Sequence, residues 1–479
     1  MIRLDGPWEA LSPDERYGLS VLLDASRLLV VDDPAADVVR LTVTDEPAPP
    51  PTPVDALTAS ALSVSPPVVR VRRSLLAAVT AVAGLGAEQA TPARDRHGRV
   101  PSAANPLVAA GRSREPLVSV VAAALRERAA EGAQHRPYRT LAPWPGGHRW
   151  AVAVTHDLDV VSLWPAFTMR RMAELLRRRA WRQARDVGWA ALRDGARRPV
   201  ARALANVLAH ERERGIPSTW FVMAGTPTLS TWLAGDLTYR IEREPVRVFL
   251  EQIERAGCEI GLHGSFATTS GDAVRGEAER LARVISTPVN GGRQHFLRSL
   301  PAVTARGYAD AGLRYDASWG YPDRNGFRLG IAGTVPGWDA RAATAVPVES
   351  VPLTWMDRAM SKYQRVEDPR AWIDDGLQLA GTVREVEGLW VGLWHPNLVT
   401  PLGYPRAERV FPALLDGLLG EAPWACTVGA AVQWRAARRG VRAVKVGVEG
   451  MQLSADGAWD GPLVLQDRDG ASETMTWPR

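Results

Sequence analysis

The chain has 479 residues, 46% hydrophobic and 23% charged, which excludes a single small module and a mostly disordered or fibrous chain and leaves two or three folded domains. Lys362 and Lys445 are the only lysines among 58 basic residues, an arginine bias that points to a GC-rich genome more than to a function. A net charge of +5 over this length gives no nucleic-acid surface by itself, so no nucleic-acid partner is expected. Cys258 and Cys426 are the only cysteines, so any metal must be held by histidine and carboxylate.

The N-terminus is polar from the start and lacks the succession of a secretion leader, and no run of eighteen apolar residues occurs. A cytoplasmic protein without a transmembrane segment is expected. Residues 1–46 alternate a helical stretch with short β-branched runs, then meet Pro47, Pro49, Pro50, Pro51 and Pro53, a stiff connector. Residues 70–139 read as mainly helical, and Ala142-Pro-Trp-Pro-Gly-Gly147 breaks the pattern, giving an N-terminal α/β domain over 1–145.

From residue 149 short apolar strands alternate with helix-length segments. They are Ala151–Thr155, Ser218–Met223, Glu259–Leu262, Val289–Phe296, Arg314–Ser318, Ala345–Leu353 and Leu389–Trp394. Seven such strands predict an α/β fold, as a barrel or a doubly wound sheet, with its chemistry at the carboxyl ends of the strands. A helix over 428–439 closes this region at about residue 440, and the tail 441–479 reads as a small C-terminal β appendage with a turn at Ala455-Asp-Gly457.

Four of the eight histidines, His156, His263, His295 and His395, stand at or just after predicted strand ends. The first strand runs into Thr155-His-Asp-Leu-Asp159, two carboxylates at i and i+2 that can divide labour between holding a metal and serving as a base. A turn or helix N-cap is the plain alternative. The third strand ends Gly261-Leu-His-Gly264, the fourth carries Arg293 and His295 at i and i+2, and the seventh ends Leu393-Trp-His-Pro396. Four strand ends that each offer Asp or His favour a metal site over isolated structural histidines. His156 points opposite to Asp157 along its strand, which fits a buried core role as well as a site role.

With these motifs in this order, the run from Trp150 to about Arg439 resembles the polysaccharide deacetylase family, metal-dependent carbohydrate esterases on a distorted seven-stranded (β/α) barrel. The resemblance places that barrel over 148–440 and implies Asp157 as the catalytic base, Asp159 and His263 as metal ligands, Arg293 as the brace of the base and His395 as the general acid. It closest matches a divergent bacterial branch with Gly-Leu-His-x-Ser and Arg-Gln-His motifs, followed by Tyr315-Asp-Ala-Ser318, Gly326-Phe-Arg-Leu-Gly330 and Met356-Asp357. The family's second metal histidine, four residues after the first, is Ala267 here. His295, expected on the same strand face as Arg293, is the candidate third ligand. The rival is that Arg293 and His295 both brace Asp157 while water completes the coordination.

The implied activity is hydrolysis of an N-acetyl group on a sugar or glycoconjugate, with a divalent metal, Zn2+ first among them, activating water. Two alternatives stand beside it: a catalytically silent barrel that binds a glycan or partner, and a hydrolase of a non-sugar amide. Asp316, Trp319, Asp323, Arg328, Trp338 and Asp357 follow strand ends and are expected either to line a sugar pocket or to pack the rim. An insert over 165–214 is arginine-rich, with 13 arginines against five acids between residues 169 and 214. It is read either as a solvated helical face or as an anionic-surface contact through Arg177, Arg178 and Arg179.

Overall fold

The computed structural model describes the chain except residues 7, 60, 162–164, 195–197, 230, 232–234, 269, 448–449, 458, 460 and 478–479, and the side chains of 165–167, 193–194 and 198–199. Before residue 145 it forms strands β1 (Arg3–Leu4), β2 (Val30–Val31), β3 (Arg40–Thr44), β4 (Leu62–Ser65), β5 (Val68–Arg72) and β6 (Thr140–Leu141). Four of them make a sheet in the order β1-β3-β5-β4. Helix Pro13–Ser26 starts on a reciprocal cap, in which Ser12 Oγ accepts the Glu15 N–H and the Glu15 carboxylate accepts the Ser12 N–H. Its apolar face joins those of helices Arg73–Ala83 and Leu117–Ala133 in one core.

After residue 150 the chain lays down β7 (Ala151–Leu158), β8 (Ser218–Val222), β9 (Glu259–Gly264), β10 (Gly291–Gln294), β11 (Tyr315–Asp316), β12 (Val335–Asp339), β13 (Thr344–Ser350), β14 (Trp355–Met356), β15 (Leu389–Leu393) and β16 (Trp424–Ala425). These form one ten-stranded sheet in the order β12-β13-β11-β10-β9-β8-β7-β15-β14, with β16 beside the start of β7. Only the β12–β13 pair is antiparallel. All eight residues of β7 are buried, as expected of a central parallel strand covered on both faces. The sheet curls into an open half-barrel, and among the described residues no ladder joins β12 to β14.

The seven segments expected as strands all contribute to this sheet, and β12, β14 and β16 join them. Two segments are half the expected length or less. The fourth strand stops at Gln294, so His295 stands beyond it in a 3-10 turn whose Phe296 has φ 59°, and the fifth is only Tyr315–Asp316.

The tail, expected as a small appendage, forms β17 (Val441–Gly447), β18 (Gly450–Ala455), β19 (Leu463–Gln466) and β20 (Ser472–Met475). It does not stand apart: β17 pairs with β2 and β19 with β6, so the two ends of the chain complete each other's sheets. A buried charge cluster adds to this tie. Asp24 of helix Pro13–Ser26 accepts Arg435 at 2.7 Å and Arg438 at 2.8 Å from helix Val428–Arg439. Burial works against the Asp24 charge, yet Arg435, Arg439 and Arg438 hold its carboxyl well below the usual range.

The same interface corrects the expectation of a sugar pocket lined by Trp319, Arg328 and Trp338. Trp319 and Trp338 belong to the N-terminal core, Trp338 packing on Tyr17 with centroids 4.5 Å apart, and Arg328 forms a buried ion pair with Glu88. Within the insert, helices Pro165–Arg177 and Trp181–Asp194 share a small core of Leu175, Ala184 and Val187. Arg197 of the expected insert lies outside the described residues. No described helix is long and apolar enough to cross a membrane.

Candidate active site

At the carboxyl end of the sheet β7, β9, β10 and β15 deliver the sequence-predicted residues to one cleft. Alternation along β7 sends Asp157 into it and His156 the other way. His156 is buried between the Trp394 carbonyl, 2.8 Å from Nδ1, and the Glu211 carboxylate, 2.7 Å from Nε2, which is a core role.

Asp157 is 5% exposed and accepts Arg293 Nη1 at 2.9 Å. Arg293 is fully buried and fixed from three sides: it donates to the Ala317 carbonyl and to Thr155 Oγ1, and it lies 4.4 Å over the Phe221 ring. Burial alone would raise the Asp157 pKa, but His263, Arg293 and His395 outweigh it and hold the carboxyl below its ordinary value. Asp159 is likewise held low despite burial, by the close His263 imidazole and by the fields of His395 and His295.

Asp159, His263 and His295 bring one donor atom each to within 4.8 Å of one another. His263 Nε2 lies 3.4 Å and His295 Nε2 3.9 Å from Asp159 Oδ1. Asp159 Oδ1 and His263 Nε2 are buried without a hydrogen-bond partner, a costly arrangement for polar atoms unless something else satisfies them. The tautomers agree with this, because His263 Nδ1 faces the Arg293 carbonyl at 2.9 Å and His295 Nδ1 faces the Asp236 carboxylate at 2.6 Å. With the proton on Nδ1 in each ring, both Nε2 lone pairs are left for a cation. Ligands on a tetrahedral zinc ion stand about 3.3 Å apart, so the donor set and its spacing fit a divalent metal.

Ala267, where the resemblance expects a second histidine, is exposed in the turn after β9. The nearby hydroxyls are committed elsewhere: Ser265 donates to Glu277, and Thr268 to the Ser265 carbonyl and Gln294. Instead the short β10 and its 3-10 turn carry His295 to the cleft, where its ring meets His263 edge-on with centroids 5.2 Å apart.

His395 stands across the cleft, its Nε2 3.9 Å from Asp157 Oδ2 and 3.7 Å from Asp159 Oδ2. Asp357, just after β14, accepts both the His395 backbone N–H and Nδ1–H, the latter at 2.6 Å. Asp357 therefore positions a site histidine and does not face a sugar. Asp236 is the functional residue that sequence reasoning missed. It is 1% exposed, comes from the connection between β8 and β9, and accepts the Phe266 N–H as well as His295. No local pattern marks it.

A cavity of about 440 Å³ opens in front of Asp157, Asp159, His295 and His395. It is walled by the insert helix Pro165–Arg177 on one side and the segment 356–363 on the other. Beside Arg358 that segment is wound as a short π-helix over Ala359–Gln364, a form that recurs at functional sites.

No protein-family model matches the chain, and no curated protein matches it. Solved structures do show similarity. A Mycobacterium smegmatis protein assigned as a polysaccharide deacetylase aligns over 61% of this chain and 91% of its own, at 18% identity and a TM-score of 0.40. An allantoinase aligns over 61% and 92%, at 12% identity and a TM-score of 0.40. The chitin deacetylase of the fungal pathogen Colletotrichum lindemuthianum aligns over 65% and 93%, at 12% identity and a TM-score of 0.30.

Proposed function

We propose that this chain, which resembles the polysaccharide deacetylases, is a metal-dependent hydrolase that removes an N-acetyl group from a sugar or glycoconjugate. The observation that carries the reading is the juxtaposition of three ligand atoms, on Asp159, His263 and His295, the first two buried without a partner, with an arginine-braced carboxylate and a carboxylate-backed histidine in one cleft. A silent binding barrel has no use for a base and an acid held in register beside a complete ligand set.

Asp159, His263 and His295 would hold the cation. When bound, it supplies Lewis acidity, making water a usable nucleophile near neutral pH and stabilising negative charge on the acetyl oxygen. Asp157 accepts a proton from that water as the water oxygen adds to the acetyl carbon. Arg293 keeps Asp157 ionised and fixes which of its oxygens faces the cleft. His395, on the far side, donates a proton to the amide nitrogen as the C–N bond breaks, so that an amine and acetate leave. Asp357 orients His395 for this through Nδ1–H.

Acetate release from a panel of N-acetylated sugars, before and after chelation and zinc add-back, tests the reading. Chelator-sensitive release supports it. No release from any N-acetyl sugar by the zinc-loaded protein removes it, and release only from an N-acetylated non-sugar amide shifts the function to the alternative amide hydrolase.

The proposed anionic-surface contact through Arg177, Arg178 and Arg179 falls into two parts. Arg178 lines the cavity and pairs with Glu174 at 2.7 Å, whereas Arg177 and Arg179 are simply exposed. The outer face of helix Trp181–Asp194 carries Trp181 and Trp189, each 65% exposed, and Leu192, 81% exposed. Such a face flanked by arginines suits the headgroup region of an anionic bilayer.

A further inference from the structure

The walls of the cavity carry more positive charge than the reaction above uses. Beyond Asp157 and Asp159, Glu174 is the one carboxylate in the described lining, and Arg171 and Arg178 share it at 2.8 and 2.7 Å. Arg99 also lines the cavity, and Asp95 neutralises it at 2.7 Å. Arg358 and Lys362 make no ion pair with a carboxylate among the described residues, although Asp357 and Asp159 stand near enough to favour the Arg358 charge. Arg358 spends its donors on neutral groups, the Tyr404 hydroxyl at 2.5 Å and Asn397 Oδ1 at 3.2 Å. Lys362 makes no hydrogen bond or ion pair with any described residue, and its ammonium stands 5.5 Å from the centroid of the Tyr363 ring. Next to it, Ser361 Oγ is buried in the cavity wall without a partner.

Cations crowded into a cleft with too few acids are costly, and the cost is recovered when an anion enters. The ammonium of Lys362 registers the crowding: burial, with Arg358, Arg96 and Arg99 around it, lowers its pKa to about 8. A neutral N-acetyl sugar would leave this charge unmatched. We infer that the substrate carries a phosphate or diphosphate group, bound by Arg358 and Lys362 with the Ser361 hydroxyl donating a third hydrogen bond, while its acetamido group lies between Asp157 and His395. This rests on the deacetylase reading only for the placement of the acetamido group. The geometry supports the pairing of the two subsites, because Arg358 immediately follows Asp357, the carboxylate that holds His395.

The test is equilibrium binding to the full chain, metal-loaded and chelator-treated in parallel, at low and moderate salt. N-acetylglucosamine, its 1-phosphate and the corresponding uridine diphosphate sugar are the probes. The 1-phosphate is expected to bind about tenfold or more tighter than the free sugar in both metal states, with the difference shrinking as salt rises. Lys362→Gln and Arg358→Gln should each remove most of that gain while leaving the free sugar within about twofold, and Lys362→Arg should retain it. Lys362 is partly exposed, so its variants report even if Arg358→Gln does not fold. Tighter binding of the uridine diphosphate sugar than of the 1-phosphate supports the inference and assigns the anion to a diphosphate, and the reverse order supports it with a monophosphate. Equal affinity for phosphorylated and free sugar, or a phosphate gain unchanged in Lys362→Gln, overturns the inference. Binding that depends on Lys362 without acetate release from any probe overturns the deacetylase reading and leaves the anion site standing.

Discussion

Replacing Asp236 with alanine tests the ligand set at the residue that does the least chemistry of its own. Asp236 touches no cation donor other than His295, whose Nδ1 lies 2.6 Å from its carboxylate, and it is 1% exposed. Without it, the proton on His295 moves freely between the two nitrogens, and the Nε2 lone pair is no longer committed to the cleft. Loss of such an outer hydrogen bond typically weakens metal binding by about 10–100-fold, which corresponds to about 1.4–2.7 kcal/mol. The Phe266 N–H also loses its acceptor, so a separate stability loss of about 1–3 kcal/mol is expected and must be measured apart from metal affinity. Competition against a chelator of known affinity gives the first quantity, and urea unfolding of the metal-free protein gives the second. His295→Ala should cost more metal affinity than Asp236→Ala, because it removes the ligand itself. If both variants bind zinc within about twofold of the wild type, His295 is not a ligand and the site is completed by water on Asp159 and His263.

Three further outcomes follow from the same geometry. Asp159→Ala should lose bound zinc in metal analysis of the purified protein, while Asp157→Asn keeps it and loses turnover, and equal metal content in wild type and Asp159→Ala would refute the assignment. Asp24→Ala should destabilise the fold by about 3–5 kcal/mol in chemical denaturation, since Arg435 and Arg438 are left buried without their acid. Because the Asp24 pKa is depressed in the fold, its contribution is fully present above about pH 4 and fades only as pH falls through the folded value, so the wild type and variant should converge in strong acid. Vesicles rich in phosphatidylglycerol should retain the protein at low salt and release it at high salt, with retention lost in the Trp181→Ser, Trp189→Ser double variant, and the absence of salt-sensitive retention leaves the insert's outer face merely solvated.

The parts of this fold that were legible in the sequence are those fixed by local pattern. A fully buried parallel strand must be an apolar run, and a residue at its carboxyl end must face the cleft or the core by alternation, which is why Asp157, His263, Arg293 and His395 converge and His156 does not. The vacancy at Ala267 was also readable, although the strand expected to deliver His295 ends one residue too early and a 3-10 turn completes the reach. What stayed hidden depends on contacts across long stretches of chain. Asp236 acquires its role only because its connection folds back over β10, and the rim tryptophans are claimed by the N-terminal layer. The pairing of β17 with β2 and of β19 with β6 left no local trace, because an edge strand reads the same whether or not another segment covers it.

This interleaving bears on whether the half-barrel, residues 148–440, can act alone. Its sheet resembles a self-sufficient catalytic unit, and residues 1–145 read as an independent domain. The packing argues otherwise on three counts. Trp319, Leu329, Ile331, Val335 and Trp338 share one buried core with the N-terminal helices and strands. Arg328, Arg435 and Arg438 would lose the acids Glu88 and Asp24 that neutralise them in the interior. Arg99, which wedges into the cavity wall with Nη1 on the Tyr363 hydroxyl at 3.0 Å and on the Phe296 carbonyl at 3.3 Å, would leave the site with them. An exposed apolar face of this kind drives aggregation, and unpaired buried guanidiniums each cost several kcal/mol. Expression of 148–440 alone is therefore expected to give insoluble or expanded protein by size-exclusion chromatography, whereas co-expression with 1–145 should restore part of the soluble fraction. A soluble 148–440 fragment that unfolds cooperatively in urea and binds zinc as tightly as the full chain would show that the N-terminal layer is accessory, and that the arginines at the interface tolerate water in place of Glu88 and Asp24.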